Sequence, residues 1–152
     1  MSLFLIASLV IIFDQITKYL VRNSMCLGET IPLIPNFFHI THVQNPGAAF
    51  GILAYQTGFF ILVGVLVIFF IFYFWKQLGE DKLLLKFALS LQLGGAIGNL
   101  VDRIYFGQVT DFFDFRVFPV FNIADIAITV GVALLCLEIL LPSFKKQVGE
   151  QK

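Results

Sequence analysis

Gly58 to Trp75 runs for eighteen residues without one charged side chain. An apolar stretch of that length is what a helix needs to cross a bilayer, which takes about 20 residues. Three further stretches approach it. Leu3 to Val21 is apolar through Phe13 and then interrupted by Asp14, Gln15 and Lys18. Leu83 to Val101 carries Lys86 near one end and Gly94, Gly95 and Gly98 near the other. Phe121 to Leu141 opens with Asn122 and Asp125 and has Glu138 at its far end. Composition agrees: 59% of residues are hydrophobic, 13% are charged and the mean hydropathy is +0.91. Soluble chains run near ~25% charged, so this one cannot coat itself in water. Disorder, a secreted disulfide scaffold and a free cytosolic enzyme are excluded. The balance of ten basic and ten acidic residues gives no reason to expect nucleic acid. Cys26 and Cys136 lie in no metal or redox spacing. The expected fold is an all-α membrane bundle of four spans, about 3–21, 58–75, 83–101 and 121–141, in a single domain over 1–152.

The first stretch lacks a basic segment before it and an A-x-A-like site after it, so it reads as an uncleaved span. Four spans place both termini on one side. Lys76, Lys82, Lys86, Lys145, Lys146 and Lys152 share that side, against Lys18, Arg22, Arg103 and Arg116 on the other. The excess of positive charge predicts cytoplasmic termini. The outer segments, 23–57 and 102–120, are apolar and aromatic and are expected to lie on the bilayer or over the helix ends. Phe37 to Val43 reads as strand, bracketed by Pro32, Pro35 and Pro46.

Ionisable groups within a bilayer are costly, at about 2.5–3.5 kcal/mol each on insertion, so each one calls for a purpose. Here they converge at the outer face. Asp14 and Lys18 are four apart on span one; Asn99, Asp102 and Arg103 form a stripe on span three; Asn122, Asp125 and Thr129 form another on span four. Gly94 and Gly98 make a small-xxx-small pattern that lets a helix pack closely. Asp14–Lys18 and Asp102–Arg103 read as structural, neutralising one another or other basic groups. Asp111 and Asp125 differ, because few outer cations remain to compensate them. Two poorly solvated carboxylates share a proton, so one serves as general base and the other as general acid.

Other hydrolytic chemistries fit less well. There is no H-E-x-x-H and no G-x-S-x-G. His39 and His42, three apart on a strand, read as surface or turn histidines rather than metal ligands. No metal or organic cofactor is indicated.

Five stretches in order then identify a resemblance across nearly the whole chain: Asp14 to Lys18 (DQITK), Asn45 to Gly51 (NPGAAFG), Gly94 to Arg103 (GGAIGNLVDR), Val109 to Phe112 (VTDF) and Phe121 to Asp125 (FNIAD). Together they resemble bacterial lipoprotein signal peptidase, signal peptidase II. The resemblance implies that Asp111 and Asp125 are catalytic. It implies that Asn45, Asn99, Arg103 and Asn122 line the site and hold substrate, and that Asp14, Lys18 and Asp102 support it. It also implies a small extracytoplasmic β-rich cradle on four helices in the bacterial cytoplasmic (inner) membrane. The implied substrate is a diacylglyceryl-modified prolipoprotein, cut just before its lipidated cysteine, with membrane lipid around it and globomycin-like peptides as inhibitors.

The connector from Asp111 to Asp125 is shorter than many related proteins have, and Asp114 is a rival for the first catalytic position. Asp111 is preferred because it follows the Val-x-Asp-Phe pattern. Two alternatives come from other classes: a small proton-coupled transporter using the same carboxylates, and an inert membrane scaffold.

Overall fold

The computed structural model describes residues 3–47 and 53–149, with side chains through residue 140. Ala48 to Gly51 of the second motif, the side chains of Lys145 and Lys146, and Lys152 lie outside the described residues.

Among the described residues four helices form: α1 (Leu3–Ser24), α2 (Thr57–Gln77), α3 (Leu83–Phe106) and α4 (Ile123–Gly149). Each contains a stretch long and apolar enough to cross a membrane. α2 shows why it must face lipid: Ile71 is its only buried residue, and Phe59, Phe69, Phe70, Tyr73 and Phe74 are all exposed. α3 is the opposite case. It packs against the other three helices and buries nine residues, including Gly94, Gly95 and Gly98.

Those glycines set the spacing. A Cβ on Gly94 would stand 2.6 Å from Val10 Cβ of α1, and one on Gly98 would stand 2.6 Å from Asp14 Oδ2. On Gly95 it would strike the Ala124 carbonyl oxygen of α4. Backbones thus approach closely on two sides of α3, the arrangement small residues permit in membranes. A core of Leu3, Ala7, Ile71, Leu89 and Leu93 packs α1, α2 and α3 together at the end of the bundle away from the sheet.

α3 continues beyond the expected boundary at Val101. It ends at Phe106, where Gly107 takes the left-handed conformation (φ 75°) and its N–H caps the Arg103 carbonyl. Only glycine adopts that φ at no steric cost.

Above the helices lies a three-stranded antiparallel sheet in the order β1 (Thr30–Ile34), β2 (Phe38–Asn45), β3 (Val109–Asp114). Pro32 lacks the N–H that a central strand needs, which suits β1 to the edge. β2 covers the expected strand. β3 was not expected from the sequence as a strand in its own right, although Val109-Thr110-Asp111-Phe112-Phe113 is rich in β-branched and aromatic residues.

Between the pairs His39↔Asp114 and Val43↔Asp111, β2 uses one residue more than β3. This bulge lies beside the residues of interest, as bulges commonly do. The histidines are not surface residues as expected. β2 is the central strand, so His42 is buried with Nδ1 3.0 Å from the Met25 carbonyl oxygen. The ring nitrogens of His39 are also shielded and have no hydrogen-bond partner among the described residues.

Phe112 decides how β3 sits. It buries against Val21 of α1 and Met25, just past the end of that helix. Alternation along a strand then turns Asp111 to the opposite face, towards α3 and α4.

Candidate active site

Asp111 and Asp125 stand in the wall of one cavity of about 470 Å³, with Asn45, Asn99 and Arg103 beside them. Below them the wall is apolar, formed by Phe60, Val63 and Val67 of α2 and Ile128 of α4. The cavity therefore joins a polar end to a greasy groove between helices.

Each carboxylate is held by amides. Asp111 Oδ2 accepts from Asn45 Nδ2 at 3.0 Å and Oδ1 from Asn122 Nδ2 at 2.6 Å. Register explains the first bond: Val43 faces Asp111 and Asn45 faces Val109, so Asn45 is the diagonal neighbour of Asp111.

Asp125 belongs to a reciprocal cap on α4. The Asn122 Oδ1 accepts from Asp125 N at 3.0 Å, and Asp125 Oδ2 accepts from Asn122 N at 3.2 Å. Two of the unsatisfied donors at the helix start are met in this way. The remaining Asp125 oxygen, Oδ1, accepts from Asn99 Nδ2 at 2.8 Å. The first turn of a helix is also where its dipole favours a negative group.

Asp111 is 2% exposed. Burial, with the negative charge of Asp125 adding to it, raises its carboxyl from the usual 3.8 to about 7. Hydrogen bonds from Asn45 and Asn122 and the charge of Lys18 pull the other way without prevailing.

Behind this pair is a buried ionic cluster. Lys18 Nζ contacts Asp14 Oδ2 at 2.9 Å and Asp102 Oδ2 at 3.6 Å, with all three side chains fully buried. Asp14 Oδ1 accepts the Ala124 N–H at 2.9 Å, capping α4 from α1. Asp102 Oδ2 accepts the Thr110 N–H at 2.9 Å, tying β3 to α3.

Of the partners the sequence left open, Asp102 takes other basic groups, Lys18 and Arg22, and not its neighbour Arg103. Adjacent helical side chains do not face each other. Arg103 turns instead to the Gly47 carbonyl at 3.2 Å and lies over the Phe60 ring at 4.9 Å. That leaves its guanidinium at the cavity mouth.

Sequence reasoning passed over Arg22, Gln15 and Thr110. Gln15 Nε2 donates to Asp102 Oδ1 at 3.2 Å, and Arg22 Nη1 donates to Thr110 Oγ1 at 3.0 Å. A signal existed for Arg22: residues 14, 18 and 22 continue one helical stripe.

Asp114 lies outside the cavity wall. Its Oδ2 accepts from Thr41 Oγ1 at 2.8 Å and from Arg116 Nη1 at 2.9 Å. Burial pushes its carboxyl upward, but these bonds and the one from Arg116 N outweigh that and leave it below the usual range. Among the described residues no three His, Cys, Asp or Glu side chains converge as metal ligands.

The chain is similar to known proteins in sequence and in fold. The model of the family described as signal peptidase (SPase) II matches residues 6–141. The chain is 50% identical to a lipoprotein signal peptidase from Moorella thermoacetica, over 99% of this chain and 97% of that one. It is 47% identical to a lipoprotein signal peptidase from Brevibacillus brevis, over 95% and 98%. A bacterial membrane enzyme structure solved by the in meso method at 2.3 Å resolution superposes with a TM-score of 0.90 at 38% identity, covering 95% of this chain and 90% of that one. A second, at 1.9 Å resolution, gives 0.84 at 39% identity, over 91% and 92%.

Proposed function

The chain belongs to the signal peptidase II family, and from that premise we propose that it is an aspartic endopeptidase with Asp111 and Asp125 as its catalytic pair. Family membership makes it a membrane-bound peptidase that cleaves signal peptides from lipoproteins. The aspartic mechanism and the assignment of residues are our own reading. The observation that carries it is the shared cavity: two carboxylates from different elements, steadied by separate amides, open to a groove of apolar side chains.

In this reading Asp125 takes a proton from a water molecule as its oxygen attacks the scissile carbonyl. A tetrahedral intermediate forms. Asp111, which holds its proton up to about pH 7, passes it to the leaving amide nitrogen as the C–N bond breaks. The Arg103 guanidinium at the mouth and the Asn45 amide are placed to bind substrate backbone or the developing oxyanion. Lys18, Asp14 and Asp102 hold β3 and the start of α4 in the relation this needs. The reacting bond belongs to a prolipoprotein carrying diacylglyceryl on its cysteine. Its lipid and signal helix reach the site sideways from the bilayer through the α2–α3–α4 groove. Both termini face the cytoplasm of a bacterial inner membrane and the site faces outward, following the lysine distribution. The whole chain works as one domain. The transport alternative gains nothing from these relatives.

The test is cleavage of a diacylglyceryl-modified prolipoprotein by purified wild type, Asp111→Asn and Asp125→Asn, followed by gel shift. Wild type should cleave, both variants should remain folded and inactive, and a globomycin-like peptide should block the wild type. Turnover at the normal rate in either variant refutes the pair.

A further inference from the structure

The cavity extends well past the two aspartates. Seven residues before Asn99 on α3, about two turns or 10 Å deeper, Gln92 stands in its wall. The cavity it shares is otherwise walled mainly by apolar groups, among them Val63 and Val67 of α2, Ala96 of α3 and Ile128 of α4, with Thr129 a further polar residue. Gln92 Nε2 is shielded from solvent and donates to no group among the described residues. Buried polar groups are normally paired, so a shielded amide nitrogen without a partner calls for an explanation. Ser90, also on α3, shows the usual solution by donating to the Lys86 carbonyl at 2.7 Å. Gln92 has no such bond. Space is nonetheless kept for it, since a Cβ on Gly131 of α4 would stand 2.7 Å from Gln92 Cγ.

We propose that Gln92 is a specificity-determining residue, whose Nε2 donates a hydrogen bond to a carbonyl oxygen of the substrate bound in the α2–α3–α4 groove. The inference rests on the peptidase reading above. A turn of the terminal amide torsion, which is soft, brings Nε2 into the groove. Carbonyl oxygens reach this depth from two sources. The last turn of a signal helix has carbonyls without intrahelical partners, and a diacylglyceryl group carries ester carbonyls. Both arrive in hydrocarbon without a donor, and Gln92 is a donor without an acceptor.

The experiment measures kcat and KM for the full chain in detergent, as wild type and as Gln92→Met, which keeps volume and removes the amide. Gln92→Leu serves the same comparison should the methionine variant not fold. Two prolipopeptides are used, one with ester-linked acyl chains and one with ether-linked alkyl chains that lack the carbonyls. For the ester substrate the variant should raise KM roughly three- to tenfold, the usual worth of one neutral hydrogen bond, with kcat within about twofold. If the ester is the acceptor, the ether substrate shows the raised KM already in wild type and the variant adds nothing. If the peptide is the acceptor, wild type treats both lipids alike and the variant raises KM for both. Equal KM for wild type and variant on both substrates overturns the inference and leaves the peptidase reading standing. A folded wild type that cleaves neither substrate overturns both.

Discussion

Lys18 Nζ and Asn99 Oδ1 lie 2.9 Å apart in the interior of the bundle. Because Lys18 occupies the carbonyl end of the Asn99 amide, the NH₂ end must point the other way, to Asp125 Oδ1 at 2.8 Å. The same Asn99 oxygen accepts from Asn122 Nδ2 at 3.2 Å, and that amide also donates to Asp111. One buried ammonium thereby sets the orientation of two amides, and through them both carboxylates of the pair.

Removing that ammonium should be costly. Lys18→Met leaves Asp14 without its ion-pair partner and Asp102 with only Arg22, at 3.4 Å. Breaking a buried pair on one side typically costs about 3–5 kcal/mol. Thermal unfolding in detergent should register a loss of that order. Adding Asp14→Asn should recover part of it, since the amide oxygen can still accept the Ala124 N–H. A loss under about 1 kcal/mol would show that the cluster carries little stability.

Activity should fall as pH rises through about 7, where Asp111 gives up its proton. Asn45 stabilises the charged form of Asp111 by donating to it, so Asn45→Ala should move this alkaline limb upward. A pH–rate profile on the residual activity reads the shift, and movement downward would contradict the assignment. Stability follows the same sign. With its folded value raised above the unfolded one, Asp111 favours folding fully below about pH 4, and that contribution is lost as pH climbs to about 7.

Asp114→Asn should leave cleavage close to wild type while Asp111→Asn abolishes it, because Asp114 is occupied by Thr41 and Arg116 outside the cavity. Its lowered carboxyl contributes stability above about pH 4 that is lost as pH falls through the lowered value. The variant's deficit in unfolding temperature should therefore shrink in acid. An inactive but folded Asp114→Asn would reopen the choice between the two aspartates.

Gly95→Ala should damage both stability and activity. Its Cβ meets the backbone oxygen of Ala124, in the turn that carries Asp125, and backbone cannot rotate away. Overpacking of this kind costs about 1–3 kcal/mol. Gly58→Ala, with nothing within 4 Å of the new Cβ, is the control and should behave as wild type in unfolding and cleavage assays alike.

Much of this protein could be read without coordinates. Four spans follow from the apolar runs around Val10, Val67, Leu93 and Val132, because a bilayer accepts little but helix over that length. The gathering of Asp14, Asn99, Asp102, Asn122 and Asp125 at one face follows from where they fall along four alternating spans, helical spacing grouping them into a stripe on each helix, and five ordered motifs pointed to the family. Which groups touch could not be read in that way. Asp102 sits next to Arg103 in the chain, yet it pairs with Lys18 and Arg22 of another helix. The Asn45–Asp111 bond depends on one extra residue in β2. The open amide of Gln92 appears only once Gly131 of α4 is packed against it. Sequence period decides which face a side chain occupies, whereas pairing depends on distances between elements far apart in the chain. Close packing of α3 against α1 and α4, and the register of β3, decide those distances.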